Sequence, residues 1–337
     1  MADIMILGSG GFGISLAVMA HHAGHSVTLW TPFEEEAGSL NRLRENPKLL
    51  KDVKLPEEIV VTTSQQAAAS ADLVLFAVPS FAVRSTARRF AGVIPSKTVV
   101  ANVGKGLEET SLKRLSQVLA EELDNPIVAL SGPSHAEEIA RGVPTTIVAA
   151  CAGRSSAEQV QDLLMNSTLR IYTNDDVVGV ELGGALKNVI ALCAGIADGL
   201  QLGDNSKAAL MTRGITEIAR LGVAMGAKTE TFAGLSGIGD LIVTCTSMHS
   251  RNRRAGILIG QGIPAPQAVE QIGMTVEGYL CAKSAHELAQ KARVDMPIIE
   301  QAYQVLYEGK SPQDGIRDLM ERPKRHESEV IWLLSKS

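Results

Sequence analysis

The chain predicts two domains: an α/β N-terminal domain on a doubly wound parallel sheet, residues 1–178, and an all-α C-terminal domain, residues 179–337. Three observations carry this. Before residue 178, short β-branched runs alternate with amphipathic stretches of helical period. The first such run leads directly into a glycine-rich turn that opens a helix. Beyond residue 178 the strand signals fade, and helix-period runs follow one another as far as Leu334. A length of 337 residues is enough for two domains that each bury a core.

In chain order the candidate strands are Ile4–Leu7, Ser26–Trp30, Ile59–Thr62, Leu73–Val78, Thr98–Val103, Ile127–Leu130, Thr145–Ala149 and Arg170–Tyr172. Helical stretches such as Gly13–Ala23, Phe81–Phe90 and Leu112–Leu123 lie between them. Strands that are apolar throughout belong to a parallel sheet covered on both faces. In the second half, Pro264 and Pro266 flank a turn, Pro297 opens a helix, and Pro312 follows a break at Gly309-Lys310-Ser311. The cluster Arg322-Pro323-Lys324-Arg325-His326 reads as a solvated basic turn.

The first turn reads Gly8-Ser9-Gly10-Gly11-Phe12-Gly13, a Gly-x-Gly-x-x-Gly between a strand and a helix. In that context it is a Rossmann-like dinucleotide loop. Gly8 permits the tight turn, Gly10 lets the backbone approach a pyrophosphate, and Gly13 lets the helix pack close to the strand. The helix N-terminus adds N–H groups and the positive end of its dipole. The second strand ends at Trp30-Thr31-Pro32-Phe33, with neither the acid that selects NAD nor the arginine that selects NADP. Glu34, Glu35 and Glu36 follow as the first turn of a helix, and Thr31 can bond a hydroxyl or a phosphate. The cofactor is NAD or NADP, with a lean to NAD from the acidic run.

Ligands of such a sheet bind outside the carboxyl ends of its strands. Lys105 stands there between Gly104 and Gly106, exposed on a turn and suited to an anion. The next such loop is Ser131-Gly132-Pro133-Ser134-His135-Ala136-Glu137. Ser134 is placed to cap a helix, with Glu137 at capping-box distance. His135 is a general acid–base candidate by residue type, with no orienting carboxylate evident beside it.

In the second half, Lys187 is the one charge between Glu181 and Asp198, and Asn188 follows it. A buried unpaired ammonium costs several kcal/mol, so Lys187 needs a partner or must snorkel to a surface. Gly183, Gly184, Ala191 and Ala194 share its helix face and leave room for a ligand. Asp240, after Gly237-Ile238-Gly239, can orient a lysine or a substrate hydroxyl, or cap a helix. Ser250-Arg251-Asn252 begins another helix, and a guanidinium beside helix N–H groups makes a phosphate site. Arg253 and Arg254 read as a solvated basic face.

The net charge of −5 disfavours nucleic acid or an anionic membrane as partner. The four cysteines show neither metal-ligand nor redox spacing among themselves, and no metal is expected. The N-terminus enters a strand pattern without a basic leader, and the longest apolar run is broken by Lys187 and Asn188. The expectation is a cytoplasmic enzyme or binding protein with no membrane insertion, and a homodimer on base rates.

These motifs, together with Val103-Gly-Lys-Gly-Leu-Glu108, Gly184-Ala-Leu-Lys-Asn-Val-Ile190, Ala197-Asp-Gly-Leu200, Gly203-Asp-Asn205 and Val276-Glu-Gly-Tyr279, stand in one order along nearly the whole chain. In that pattern the chain resembles the bacterial-type NAD(P)-dependent glycerol-3-phosphate dehydrogenases. The resemblance implies reduction of dihydroxyacetone phosphate, a small phosphorylated substrate, to sn-glycerol 3-phosphate for glycerophospholipid synthesis. It implies Lys187 as proton carrier, and Lys105, Gly132, Ser134, Lys187, Asp240, Ser250, Arg251 and Asn252 around the glycerol phosphate. It further implies Gly11, Phe12, Lys105, Ala136, Arg251, Thr275 and Glu277 along the dinucleotide. Two departures stand out: family members commonly carry serine at position 11 and tryptophan or tyrosine at position 12, and many carry arginine just after the second strand, where this chain has Thr31-Pro32. A related β-hydroxyacid dehydrogenase of the 6-phosphogluconate type, and a nucleotide-sensing protein without catalysis, are the alternative readings.

Overall fold

The structure is a computed structural model that describes residues 1–324 and Glu327. The expected helical run toward Leu334 and the Arg325-His326 part of the basic cluster lie outside these residues. The chain divides into two compact units. The first holds Met1–Lys105 and Leu115–Val177, and the second holds Gly106–Arg114 and the chain from Val178 onward. Residues 106–114, which the sequence pattern assigns to the first domain, thus group with the second unit.

The first unit contains ten strands: β1 Asp3–Leu7, β2 Ser26–Trp30, β3 Glu45–Asn46, β4 Leu50–Lys54, β5 Val60–Thr62, β6 Leu73–Phe76, β7 Val99–Asn102, β8 Ile127–Ser131, β9 Thr145–Ala150 and β10 Leu169–Asn174. Its helices are α1 Gly11–His22, α2 Glu34–Leu43, α3 Val83–Phe90, α4 Leu115–Glu122, α5 Ala136–Ala140 and α6 Arg154–Leu164. Eight strands form one sheet in the order β10-β9-β8-β7-β6-β1-β2-β5. The chain winds outward from β1 to β2 and β5, then resumes on the other side at β6, so the topological switch point lies between β1 and β6.

Side chains of alternate residues point to opposite faces of a strand. Here both faces are buried: Ile4, Ile6, Leu73 and Leu75 enter one core, and Met5, Leu7, Val74 and Phe76 the other. Trp30 packs edge-on against Phe90 in the second core, at 5.0 Å between ring centres. Its indole N–H is satisfied by the Thr63 carbonyl at 2.9 Å.

Two features depart from the sequence pattern. The sheet is not wholly parallel, because β9 runs antiparallel to β8. The link between them carries only the five-residue α5. At about 1.5 Å per residue that helix is too short to carry the chain back along a strand, so the next strand starts where the last one ended. The helix expected over Leu112–Leu123 begins instead at Leu115. Leu112 adopts a left-handed φ of 59°, and Leu107 and Arg114 form an antiparallel bridge, so this stretch is a tight loop. Leu107 is buried in the core of the second unit.

The second unit is helical: α7 Val177–Gly199, α8 Gly203–Ala224, α9 Thr229–Phe232, α10 Asp240–Thr246, α11 Arg251–Gly260, α12 Ala265–Ile272, α13 Glu277–Ala292, α14 Pro297–Tyr307 and α15 Pro312–Met320. Pro297 and Pro312 begin helices as expected, and Ser311 caps the latter by accepting the Asp314 N–H at 3.1 Å. Helix α7 is long and apolar enough to cross a membrane, but 83% of its most apolar window is buried inside the fold.

Helices α7 and α11 touch backbone to backbone. A Cβ on Gly195 would lie 2.0 Å from the Arg253 carbonyl oxygen, and one on Gly256 would lie 2.0 Å from that of Leu192. Gly199 and Gly260 repeat the arrangement one turn on. Both helices therefore carry a Gly-x-x-x-Gly stripe, and removing the side chains from that face lets the axes approach.

Candidate active site

In the first unit the glycine loop lies at the switch point. Gly8 has φ +116°, and a Cβ there would sit 2.8 Å from the Ala77 carbonyl oxygen at the end of β6. A Cβ on Gly13 would lie 1.8 Å from the Gly8 carbonyl oxygen, so only glycine lets α1 start this close to the turn. Around Gly10 nothing lies within 4 Å of an added Cβ, which leaves its backbone open to a ligand. One glycine bends the turn, one packs it, and one is open: the residues present fit a dinucleotide pyrophosphate. Phe12 and Ala136 pack against the adjoining core, and Gly11 approaches the Leu49 carbonyl.

Thr31 does not present its hydroxyl to a ligand. It is fully buried, and its Oγ1 donates to Glu36 Oε2 at 2.5 Å. Glu34 and Glu36 are in the first turn of α2, as expected, and Glu34 Oε1 accepts from Thr63 Oγ1 at 2.5 Å.

Lys105 Nζ donates to the Gly132 carbonyl at 2.7 Å and to Ser134 Oγ at 3.0 Å. Ser134 Oγ in turn donates to the Gly132 carbonyl at 2.8 Å. The structure thus brings Lys105, Gly132 and Ser134 together, and it corrects the capping role of Ser134. The cap position of α5 belongs to His135, which makes no capping bond with its side chain.

In the second unit Lys187 does not snorkel. Its Nζ lies 3.0 Å from Asp240 Oδ1 and donates to Thr244 Oγ1 at 2.6 Å, with all three residues buried. Asp240 opens α10 and Thr244 follows one turn later. The Thr244 hydroxyl donates back to the Asp240 carbonyl at 2.6 Å, which leaves its oxygen lone pairs toward the ammonium. Thr244 was not singled out in the sequence, although its i+4 spacing from Asp240 puts both on one helix face. Burial pushes the pKa of the neighbouring Cys245 thiol up to about 12.

Asn188, beside Lys187, accepts from Asn252 Nδ2 at 3.0 Å, and Asn252 Oδ1 accepts the Gly278 N–H at 2.8 Å. A Cβ on Gly278 would fall 2.3 Å from the Asn188 carbonyl oxygen, so the start of α13 also closes on this ladder. Glu277 is the first residue of that helix, and Thr275 precedes it by two. Ser250 caps α11, accepting the Arg253 N–H at 3.2 Å, and Arg251 is the first residue of the helix. Arg253, expected on a solvated face, is instead 14% exposed and paired with Asp198. No cluster of three or more potential metal ligands occurs among the described residues.

Comparison with known proteins gives the family of the chain. The family model described as NAD-dependent glycerol-3-phosphate dehydrogenase N-terminus matches residues 3–157, and that described as its C-terminus matches residues 176–317. A glycerol-3-phosphate dehydrogenase [NAD(P)+] of Moorella thermoacetica is 56% identical over 97% of this chain and 98% of its own. One of Desulfitobacterium hafniense is 51% identical over 99% of this chain and 96% of its own. Among solved structures, the glycerol-3-phosphate dehydrogenase of Coxiella burnetii superposes with a TM-score of 0.92 at 37% identity, covering 95% of this chain and 99% of that one. With both halves matched in order and the motif residues in place, this chain belongs to the NAD-dependent glycerol-3-phosphate dehydrogenase family.

Proposed function

We propose that this chain reduces dihydroxyacetone phosphate to sn-glycerol 3-phosphate, reversibly, with NADH or NADPH. On this reading it is a cytoplasmic homodimer that supplies glycerol 3-phosphate for glycerophospholipid synthesis. The observation that carries the reading is the buried Lys187 ammonium, oriented by Asp240 and Thr244.

When bound, the nicotinamide supplies the hydride that reduces the ketone carbon. As negative charge develops on the ketone oxygen, Lys187 donates a hydrogen bond and then its proton to it. The lysine, left as a neutral amine, recovers a proton from water. Asp240 and Thr244 fix the direction of the ammonium, so little reorganisation accompanies the transfer. Arg251, Ser250 and Asn252 at the α11 N-terminus are assigned to the phosphate, where a guanidinium can pair with two of its oxygens. Lys105, Gly132 and Ser134 are also assigned to the glycerol phosphate. Anchoring the remote phosphate turns binding energy into orientation of the carbonyl.

Gly8, Gly10, Gly11, Phe12, Gly13 and Ala136 are assigned to the dinucleotide, with Lys105, Arg251, Thr275 and Glu277. At the end of β2 Thr31 bonds the Glu36 carboxylate and the strand is followed by Pro32 with no arginine, which supports NADH over NADPH.

The test is an absorbance assay of NADH and NADPH oxidation with dihydroxyacetone phosphate, run side by side, with a hydroxyacid panel in the reverse direction. Turnover of dihydroxyacetone phosphate is expected, with the higher kcat/KM for NADH. Absence of turnover with either nucleotide overturns the reading, and oxidative decarboxylation of a hydroxyacid replaces it.

A further inference from the structure

We infer that Arg253 and Asp198 form a positioning pair that sets the α11 N-terminus, and with it the phosphate-binding residues, against the helix carrying Lys187. The inference rests on the reading of the site given above. Arg253 Nε donates to Asp198 Oδ2 at 2.7 Å, and its Nη1 donates to the Thr246 carbonyl at 2.6 Å. Its backbone N–H is the one that the Ser250 cap receives. Lys207 Nζ pairs with the other oxygen of Asp198.

One guanidinium therefore joins three elements. Asp198 is in the last turn of α7, Thr246 is the last residue of α10, and Arg253 is in the first turn of α11. These helices carry Lys187 and Asn188, Asp240 and Thr244, and Arg251 and Asn252 respectively. The Thr246 carbonyl is one of the unsatisfied acceptors at a helix C-terminus, where a cation is favoured.

The packing explains why such a clamp is needed. Gly195 faces Gly256 and Gly199 faces Gly260, so α7 and α11 meet along a smooth stripe and run in the same direction. Interlocking side chains normally fix how far one helix slides along another. On this stripe there are none, and the axial register falls to polar pairs beside it. Among the described contacts these are Asn188–Asn252 and Asp198–Arg253. Asp198 lies eleven residues beyond Lys187, about 16 Å along the helix, so it acts through Arg253 and not on the reacting atoms.

The experiment compares wild type with Asp198→Asn, Arg253→Gln, Arg253→Lys and the Asp198→Asn/Arg253→Gln double variant, each checked by thermal melting at the assay temperature. A shifted phosphate anchor raises the KM for dihydroxyacetone phosphate and the product-inhibition constant of sn-glycerol 3-phosphate together, by roughly tenfold, and kcat falls as well, because the ketone is no longer held in line with Lys187. Because both changes remove the Asp198–Arg253 pair, and each also removes a contact of its own, the loss in the double variant is expected to be smaller than the sum of the two single losses. Arg253→Lys recovers part of the loss, since a lysine can reach one partner but not both in the same geometry.

Unchanged KM with reduced kcat means only a loss of folded enzyme and overturns the inference. Additive losses in the double variant overturn it as well. If Arg253→Gln melts below the assay temperature, Asp198→Asn, which keeps shape and Lys207 contact, carries the test alone. A wild type inactive on dihydroxyacetone phosphate would refute the functional reading instead, a result distinct from variants that share the wild-type KM.

Discussion

Lys187 Nζ and Asp240 Oδ1 stand 3.0 Å apart across 53 residues of sequence, nearly sealed from solvent. A buried ion pair contributes little net stability, because desolvating two charges offsets most of their attraction. Its place in this fold is better explained by what the ammonium does than by what it stabilises. Removing one partner from such a pair is expensive, about 3–5 kcal/mol, and that cost shapes how the variants below are read.

Lys187→Ala leaves no proton donor at the ketone oxygen. The expected result is a fall in kcat of about 10²–10⁴, with NADH affinity nearly unchanged. Steady-state kinetics and a fluorescence titration of NADH measure the two quantities. Normal turnover in this variant would remove Lys187 from the mechanism. Because Asp240 is left buried without its partner, the variant is also expected to melt earlier.

Thr244→Val keeps the shape of the side chain and deletes the acceptor 2.6 Å from the ammonium. An unmade hydrogen bond to a buried donor costs about 1–3 kcal/mol. If that cost falls on the transition state, kcat drops about 10–100-fold. Thr244→Ser retains the hydroxyl and is expected to keep most of the activity. Equal rates for the valine and serine variants would show that the hydroxyl has no part in directing Lys187.

Gly256→Ala and Gly38→Ala are expected to change stability in opposite directions. Both lie inside helices, where alanine is intrinsically better by about 1 kcal/mol. At Gly38 an added Cβ meets nothing within 4 Å, so the propensity gain prevails and the melting point rises or holds. At Gly256 the Cβ would be 2.0 Å from the Leu192 carbonyl, so α7 and α11 must separate. Overpacking typically costs about 1–3 kcal/mol, which outweighs the propensity and lowers the melting point by several degrees. Scanning calorimetry of the two variants decides the matter.

The glycine loop separates binding from folding in the same manner. Gly10 has φ −64° and open space, so Gly10→Ala is expected to fold normally and to raise the KM for NADH about tenfold or more, by blocking backbone approach. Gly13→Ala drives a methyl into the Gly8 carbonyl, and both NADH affinity and melting point should fall. A Gly10→Ala enzyme with wild-type NADH kinetics would contradict the pyrophosphate assignment.

Glu217 provides a pH dependence of known sign. It lies buried under the start of α14, where its carboxyl receives the Ile298 N–H at 2.9 Å and the Ile299 N–H at 3.4 Å. Burial raises its pKa to about 7, against the opposing pull of those N–H groups and of Arg220, with Asp295 adding to the rise. The folded protein therefore holds this proton where the unfolded chain, near 4.5, has released it. The contribution is full below about pH 4.5 and is lost as pH climbs through about 7. Glu217→Gln keeps an acceptor for the N–H groups and cannot ionise. Relative to wild type it should gain stability between pH 5 and pH 8, on the order of 1–3 kcal/mol, measured by denaturant titration across that range. A constant difference between the two proteins over that range would sink the assignment.

All eight strands of the main sheet were legible in the sequence, the central ones because a strand covered on both faces leaves an unbroken apolar run. The roles of Gly8, Gly10 and Gly13 were legible for a similar reason: the constraint on each is local, set by the few residues of one turn. The isolation of Lys187 in an apolar helix was equally plain, since it is a matter of composition within one segment.

Which partner meets that lysine is a different kind of question. Nothing in the spacing of Lys187 and Asp240 encodes 3.0 Å. It follows from α10 packing on α7, and Thr244 joins only because it is one turn along the same helix. A run of two arginines looks the same whether or not a carboxylate such as Asp198 waits on another helix, so Arg253 reads as solvated until the packing is seen. The Thr31 hydroxyl donates to Glu36, and Ser134 joins Lys105 in place of capping a helix, for the same reason. The antiparallel β9 and the transfer of Gly106–Arg114 to the second unit also depend on tertiary structure. By itself the sequence determined the periodicities, the turns and the kinds of chemistry available. Only the tertiary structure decided which polar groups satisfy one another, because burial makes every donor and charge find a partner and the partner comes from wherever the helices pack.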